Sequence, residues 1–177
     1  MSFIRQSLAK YPLISNCVIY GSLYFTAEIS QQTVLKKFMR KPGEEEKPYD
    51  TDALKRYGFV GTVVLAPTLF YWYRFLDSRV IGTTVKIVAK KCLIDQFVFT
   101  PNLLALFYIT MSVLEKKEDV FEELRRKFIP TFVVSSCFWL PVQAVNFSVV
   151  PARYRVTYIG FASLLWANIL CYKKRNN

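Results

Sequence analysis

Between Phe128 and Ala152 the chain runs for 25 residues without a single charge. A helix needs about 20 predominantly apolar residues to cross the hydrocarbon core of a bilayer, so this stretch is long enough to span one. Further charge-free runs occupy Tyr11–Ala27, Tyr57–Tyr73, Gln96–Leu114 and Val156–Tyr172. Five such runs in 177 residues leave almost nothing from which to build a soluble domain. The expected fold is therefore all-α. It is a polytopic helical membrane protein, with four to five transmembrane helices in one compact bundle and short amphipathic interfacial helices. A single integral membrane domain covers 1–177, with spans near 11–32, 55–76, 92–114, 128–150 and 156–172.

The longest run is not a plain anchor. It reads W-L-P-V-Q-A-V-N-F-S-V-V-P from Trp139 to Pro151. Trp139, Gln143 and Asn146 stand at i, i+4 and i+7, which is one face of a helix. In lipid an amide must find a partner inside the protein or in a water-filled cavity. This face is expected to look onto other helices or a lumen. Two plainer readings stand beside that one. Gln143 and Asn146 bond across helices for structure alone, or Asn146 reaches the far interface and is solvated.

The net charge of +11 invites a nucleic-acid reading, but the positions of the charges argue against it. Lysines and arginines gather at the ends of the runs: Arg74 and Arg79, Lys90 and Lys91, Arg125 to Lys127, Arg153 and Arg155, and Lys173 to Arg175. Basic residues at membrane edges set orientation and meet anionic headgroups. The expected partner is thus a bilayer with anionic headgroups, together with a second copy of the chain or other membrane proteins, and no nucleic acid. Five crossings place more of the basic residues on one side than four do, and both counts stay open.

The chain contains no histidine, which excludes Ser-His-Asp triads and histidine metal sites. Cys17, Cys92, Cys137 and Cys171 are widely separated, form no C-x-x-C pair, and are expected to be unpaired buried thiols. No P-loop, G-x-S-x-G or G-x-G-x-x-G occurs. No metal, cofactor or enzymatic activity is expected.

Met1–Lys10 has the makings of a weak amphipathic targeting segment, and Arg40–Asp52 those of a flexible linker. Gly58, Thr62 and Ala66 put small residues on one face of the second span, where helix backbones can approach closely. Ser78–Lys91 and Glu115–Lys127 read as amphipathic surface helices. Pro67, Pro101 and Pro141 interrupt three spans, and each frees a carbonyl four residues earlier. Asp95 and Gln96 open the third span. Only four residues past Lys91, Asp95 reads equally as a cap at a helix start or as a pore residue.

These elements together resemble the Mpv-seventeen/peroxisomal-membrane-protein family over nearly the whole chain. The most specific part is W-x-P-x-Q-x-x-N-F-x-x-V-P-x-x-x-R, met by Trp139, Pro141, Gln143, Asn146, Phe147, Val150, Pro151 and Arg155. Asp95-Gln96 before Pro101, Gln31 and Gln32 after the first span, Trp72-Tyr73 and Trp166 also fit. Y-G-S-L at Tyr20–Leu23, M-S-V-L at Met111–Leu114 and the tail L-W-A-N-I-L-C look like the Mpv-seventeen-like branch. Departures are Ala27-Glu28 for the family's G-D, Ala66-Pro67 for its G-P, and Phe70 where a histidine is often found. The resemblance implies a channel-like or metabolite-handling protein, tied to mitochondrial DNA maintenance and reactive-oxygen metabolism. Its implied home is the mitochondrial inner membrane, with the peroxisomal membrane as the alternative.

Polar residues at membrane depth (Glu28, Asp95, Gln96, Gln143 and Asn146) make the leading expectation a small, weakly selective pore or its regulator. Arg153 and Arg155 are expected at one mouth, drawing in anions or pairing with Asp95 or Glu28. Trp139, Pro141, Phe147, Pro151 and Trp166 are expected to be structural. The alternative is a non-conducting membrane scaffold, suggested by the small-residue face of the second span.

Overall fold

The computed structural model describes residues 10–38 and 48–176. The expected N-terminal targeting segment, apart from Lys10, and most of the Arg40–Asp52 linker lie outside these residues. Among the described residues there are five helices. They are α1 (Pro12–Phe38), α2 (Thr51–Arg79), α3 (Val85–Leu114), α4 (Glu122–Ser148) and α5 (Arg155–Asn176). A single 3₁₀ turn, Ala152–Tyr154, leads into α5.

Cross-helix pairs fix the directions. Gly58 lies under Phe25 and Gly61 under Tyr24, so α2 runs back along α1. Trp72 reaches Asp95, Gln96 reaches Ser136, and Phe138 packs on Trp166, so each later helix reverses again. Tyr20 and Leu23 meet Gly160 while Ser30 meets Asn168, so α5 runs parallel to α1. The order is up-down-up-down-up, and the last helix closes the bundle against the first. The α1–α2 and α1–α5 seams are the two most extensive interfaces in the fold.

The bundle's sidedness shows what surrounds it. Asn16, Glu28, Asp95, Gln143 and Asn146 are buried, while Ile14, Val18, Val63, Phe97, Val133 and Leu165 face outward. Charge inside and large apolar side chains outside is the reverse of a soluble protein and suits a hydrocarbon solvent. Helices α2, α3 and α4 are long and apolar enough to cross a membrane. At 1.5 Å per residue α1 and α5 extend about 40 and 33 Å, which also matches a bilayer.

Two prolines leave a clear mark. The backbone widens to π-helix over Val60–Leu65 and again over Asp95–Phe99, directly ahead of Pro67 and Pro101. In both places the residue before the proline donates five back rather than four: Ala66 to Gly61 and Thr100 to Asp95. Proline lacks an N–H and its ring collides with the carbonyl four residues earlier, and the wider turn relieves that collision. The residue after each proline then returns a side chain to the backbone: Thr68 Oγ1 to Val64 O (2.7 Å) and Asn102 Nδ2 to Val98 O (2.6 Å).

Several expectations are refined. Val85–Lys91 is not a separate surface helix but the opening two turns of α3, because V-K-I-V-A-K-K contains nothing that stops a helix. Residues 115–121 form turns, and only Glu122–Lys127 of the expected second surface helix is helical, as the start of α4. The stop after Leu114 is a Schellman closure. Lys117 N–H bonds Ser112 O and Lys116 N–H bonds Val113 O, with Lys116 itself at φ 54°. Of the cysteines described, Cys92 is buried as expected, Cys17 is half-buried and Cys137 is exposed.

The small-residue face of α2 is consumed within the chain. Ala66 is fully buried, and Thr62 sits so close to Gly21 that a Cβ there would lie 1.8 Å from Thr62 Oγ1. At Gly58 the nearest atom to such a Cβ is Phe25 Cδ2 at 3.4 Å, an ordinary contact. Gly21→Ala is therefore expected to cost about 1–3 kcal/mol through overpacking. Gly58→Ala should be neutral or stabilising by up to about 1 kcal/mol from helix propensity. Unfolding of the two variants in detergent, followed by circular dichroism, measures both; equal midpoints would show that the α1–α2 contact is not close-packed.

Candidate functional site

All five helices contribute to one cavity of about 290 Å³ in the middle of the bundle. From α1 come Tyr20, Tyr24, Glu28 and Gln31; from α2, Tyr57 and Tyr73; from α3, Asp95, Phe99, Phe107 and Tyr108. Thr131, Ser135, Trp139 and Gln143 of α4 and Ser163 and Trp166 of α5 complete its polar and aromatic wall. The positions recur every three or four residues on each helix, as one face should. Among the described lining residues nine are aromatic, two are carboxylates, and none is a lysine or arginine.

Asp95 sits at one end and is 2% exposed. Its Oδ1 accepts from Trp72 Nε1 at 2.7 Å and its Oδ2 from Gln143 Nε2 at 2.8 Å. The Gln143 amide also donates to Tyr73 OH (3.0 Å) and accepts from Asn146 Nδ2 (2.9 Å). Three helices thus meet on one carboxylate. Because α3 starts at Val85, Asp95 lies about 15 Å along it, which overturns the reading of Asp95 as a cap. Every donor Asp95 has among the described residues is neutral, and no cation pairs with it there.

Lys91 and Arg155 are engaged elsewhere. Lys91 Nζ lies 2.7 Å from Asp77 Oδ1, and Arg155 Nη1 pairs with Asp77 Oδ2 while its Nε reaches Val150 O. Both cations also sit over the Phe147 ring, at 5.9 and 5.3 Å from its centre. Phe147 has no exposed surface and meets Tyr73 edge-on. This corrects the expectation that Arg155 stands at an open mouth or pairs with Asp95 or Glu28. It is buried and paired with Asp77, and Arg153 is the exposed arginine of the two.

Glu28 lies towards the other end. It is buried and accepts from Gln32 Nε2 at 2.9 Å, and the same amide group bonds Asp50 N–H and Asp50 O at the entrance to α2. One turn before Glu28, Tyr24 begins an aromatic series: Tyr24 to Tyr57 at 6.0 Å and Tyr57 to Phe107 at 6.2 Å between ring centres.

Of the residues singled out in sequence, Glu28, Asp95, Gln143, Trp139 and Trp166 line the cavity. Gln96 faces away from it, tying α3 to α4 through Ser136 at 2.7 Å. Asn146 stands behind Gln143, fully buried and not solvated at an interface, with its Oδ1 unpartnered among the described residues. Pro141 and Pro151 are exposed. The residues four before the interrupting prolines, Val63, Phe97 and Cys137, are exposed on the outer surface and do not line the cavity. Carboxylates and aromatic rings form the wall instead of freed carbonyls. Sequence reasoning missed Asp77, although it is the one acidic residue between Asp52 and Asp95 and lies among basic ones.

A model of the Mpv17 / PMP22 family matches residues 112–171, which hold the last three residues of α3, all of α4 and most of α5. The Mpv17-like protein of Xenopus laevis is 35% identical over 97% of this chain and 81% of its own length. The chain belongs to the Mpv17/PMP22 family. Protein sym1 of Aspergillus oryzae is 30% identical over 94% of the chain and 92% of that protein. The mitochondrial inner membrane protein Mpv17 of Rattus norvegicus is 31% identical over 96% and 94%. No solved structure matches the chain significantly.

Asp77→Asn leaves two buried cations without a counter-charge and is expected to cost about 3–5 kcal/mol. Asp95→Asn should cost less, since an asparagine oxygen can still accept from Trp72. Denaturant midpoints in detergent would rank them, and an Asp77→Asn protein as stable as the parent would remove the ion-pair cluster from any structural role.

Proposed function

We propose that this member of the family is a small integral protein of the mitochondrial inner membrane whose central cavity is the lumen of a weakly selective channel. The observation that carries the reading is the composition of the cavity wall. Among the described residues, two carboxylates and no cation line a space of about 290 Å³ shared by all five helices. A water-sized void inside a bundle needs no charge, and an uncompensated carboxylate at membrane depth costs about 2.5–3.5 kcal/mol on insertion scales. Retaining two such groups makes sense where a positively charged solute compensates them in transit. The rat relative's name places that protein in the mitochondrial inner membrane, which supports the same location here. Solute flow of this kind is also consistent with the part in mitochondrial homeostasis and reactive-oxygen metabolism that the family resemblance implies.

The competing reading, a non-conducting scaffold, loses its main motive because the small-residue face of α2 is occupied by α1. Purified protein in planar bilayers is expected to give discrete single-channel currents with cations preferred over anions. Asp95→Asn is expected to shift the reversal potential in a salt gradient towards the anion side. Silent bilayers from folded protein over a wide voltage range would reject the channel in favour of the scaffold.

A further inference from the structure

The cavity's length and the placement of its two acids define its ligand further, on the reading of the cavity as a solute-binding lumen. Asp95 belongs to the level of Trp72 and Tyr73 on α2. Glu28 lies one turn past Tyr24, whose ring meets Tyr57, and Tyr57 meets Phe107. From Asp95 to Phe107 along α3 is about 18 Å, and from Tyr57 to Tyr73 along α2 about 24 Å. The carboxylates therefore stand near opposite ends of a narrow space, roughly 20 Å apart along the bundle axis.

The wall between them is built for cations on a flexible stem. Tyr20, Tyr24, Phe99, Tyr108, Trp139 and Trp166 present ring surface to the space, and aromatic faces attract ammonium groups while covering methylene chains. Asp95 uses one acceptor position on each oxygen for Trp72 and Gln143. A carboxylate has about four such positions, so capacity is left for an ammonium donor. Anions are excluded by the same wall, since both of its charges are negative.

From this we infer that the cavity binds a linear organic cation with an ammonium group at each end, a polyamine in chemical class. One terminal ammonium is held by Asp95 and the other by Glu28. The chain between them runs along the aromatic wall. A short diamine can satisfy only one acid at a time, so it forfeits the gain that comes from holding both ends at once.

All three tryptophans report on this site. Trp139 and Trp166 line the cavity, and Trp72 donates to Asp95. Intrinsic fluorescence of the full chain in a neutral detergent can therefore follow titration with spermine, putrescine and the dianion glutarate at constant ionic strength. Spermine is expected to saturate with an apparent Kd about tenfold or more below that of putrescine, with no saturation by glutarate. Glu28→Gln keeps the Gln32 contact and should fold, and is expected to weaken spermine about tenfold while leaving putrescine within about threefold. Asp95→Asn should do the same from the other end. A spermine response that is absent, matched by glutarate, or unchanged in Glu28→Gln would overturn the assignment. Bilayer currents separate the two claims. Conduction without spermine binding keeps the channel and discards this ligand, whereas binding in a silent bilayer keeps the ligand and discards the channel.

Discussion

A carboxylate buried among helices in lipid has to be solvated by its own protein, and the arrangement around Asp95 follows from that need. Trp72 and Gln143 approach it from α2 and α4, and Tyr73 and Asn146 hold Gln143 in place. Each bond spans a different pair of helices or stiffens one that does, so moving any of these helices leaves a polar group without a partner. The cost of such orphans, about 1–3 kcal/mol each, gives the apolar bundle a register that dispersion between similar side chains would not set.

Charge is partitioned in an unusual way beside this network. Two cations share Asp77 and the face of Phe147, while Asp95 and Glu28 are left to neutral donors. A simpler pairing of Lys91 with Asp95 is available by sequence spacing, four residues apart on a helix. Its absence separates a cluster of two cations on one carboxylate from a cavity whose described wall holds carboxylates alone. The first holds α2, α3 and α5 together, and the second leaves two acids on the wall of the central cavity.

Much of this was legible in the residues. Charge-free runs located the helices, and the i, i+4, i+7 spacing of Trp139, Gln143 and Asn146 gave the inward face of α4, because period is a local property. Partner choice was not legible, since it depends on which residues the turns bring together. The basic pair Lys90–Lys91 looked like a membrane edge, yet Lys91 is 2% exposed because Asp77, fourteen residues earlier, reaches it across the α2–α3 turn. Gly82, at φ 115°, lies in that turn, where a side chain would be strained. The prolines announced broken helices but not the π-turns that absorb them, because a proline alone does not say how the backbone will make room.

The parallel pairing of α5 with α1 gives the molecule a direction. Five described helices of alternating direction make the bundle polar, with the end of α1 and the α3–α4 turn on one side and the α2–α3 and α4–α5 turns on the other. A solute approaching from the first end meets Glu28 before Asp95, and one approaching from the second meets them in the opposite order. The two acids differ in side-chain length and in donors, and a charged species moving between them also crosses part of the membrane potential, worth about 2.3 kcal/mol per charge per 100 mV across the whole membrane. On the proposed reading of the cavity as a lumen, entry from the two ends is thus inequivalent, and currents through it are expected to rectify.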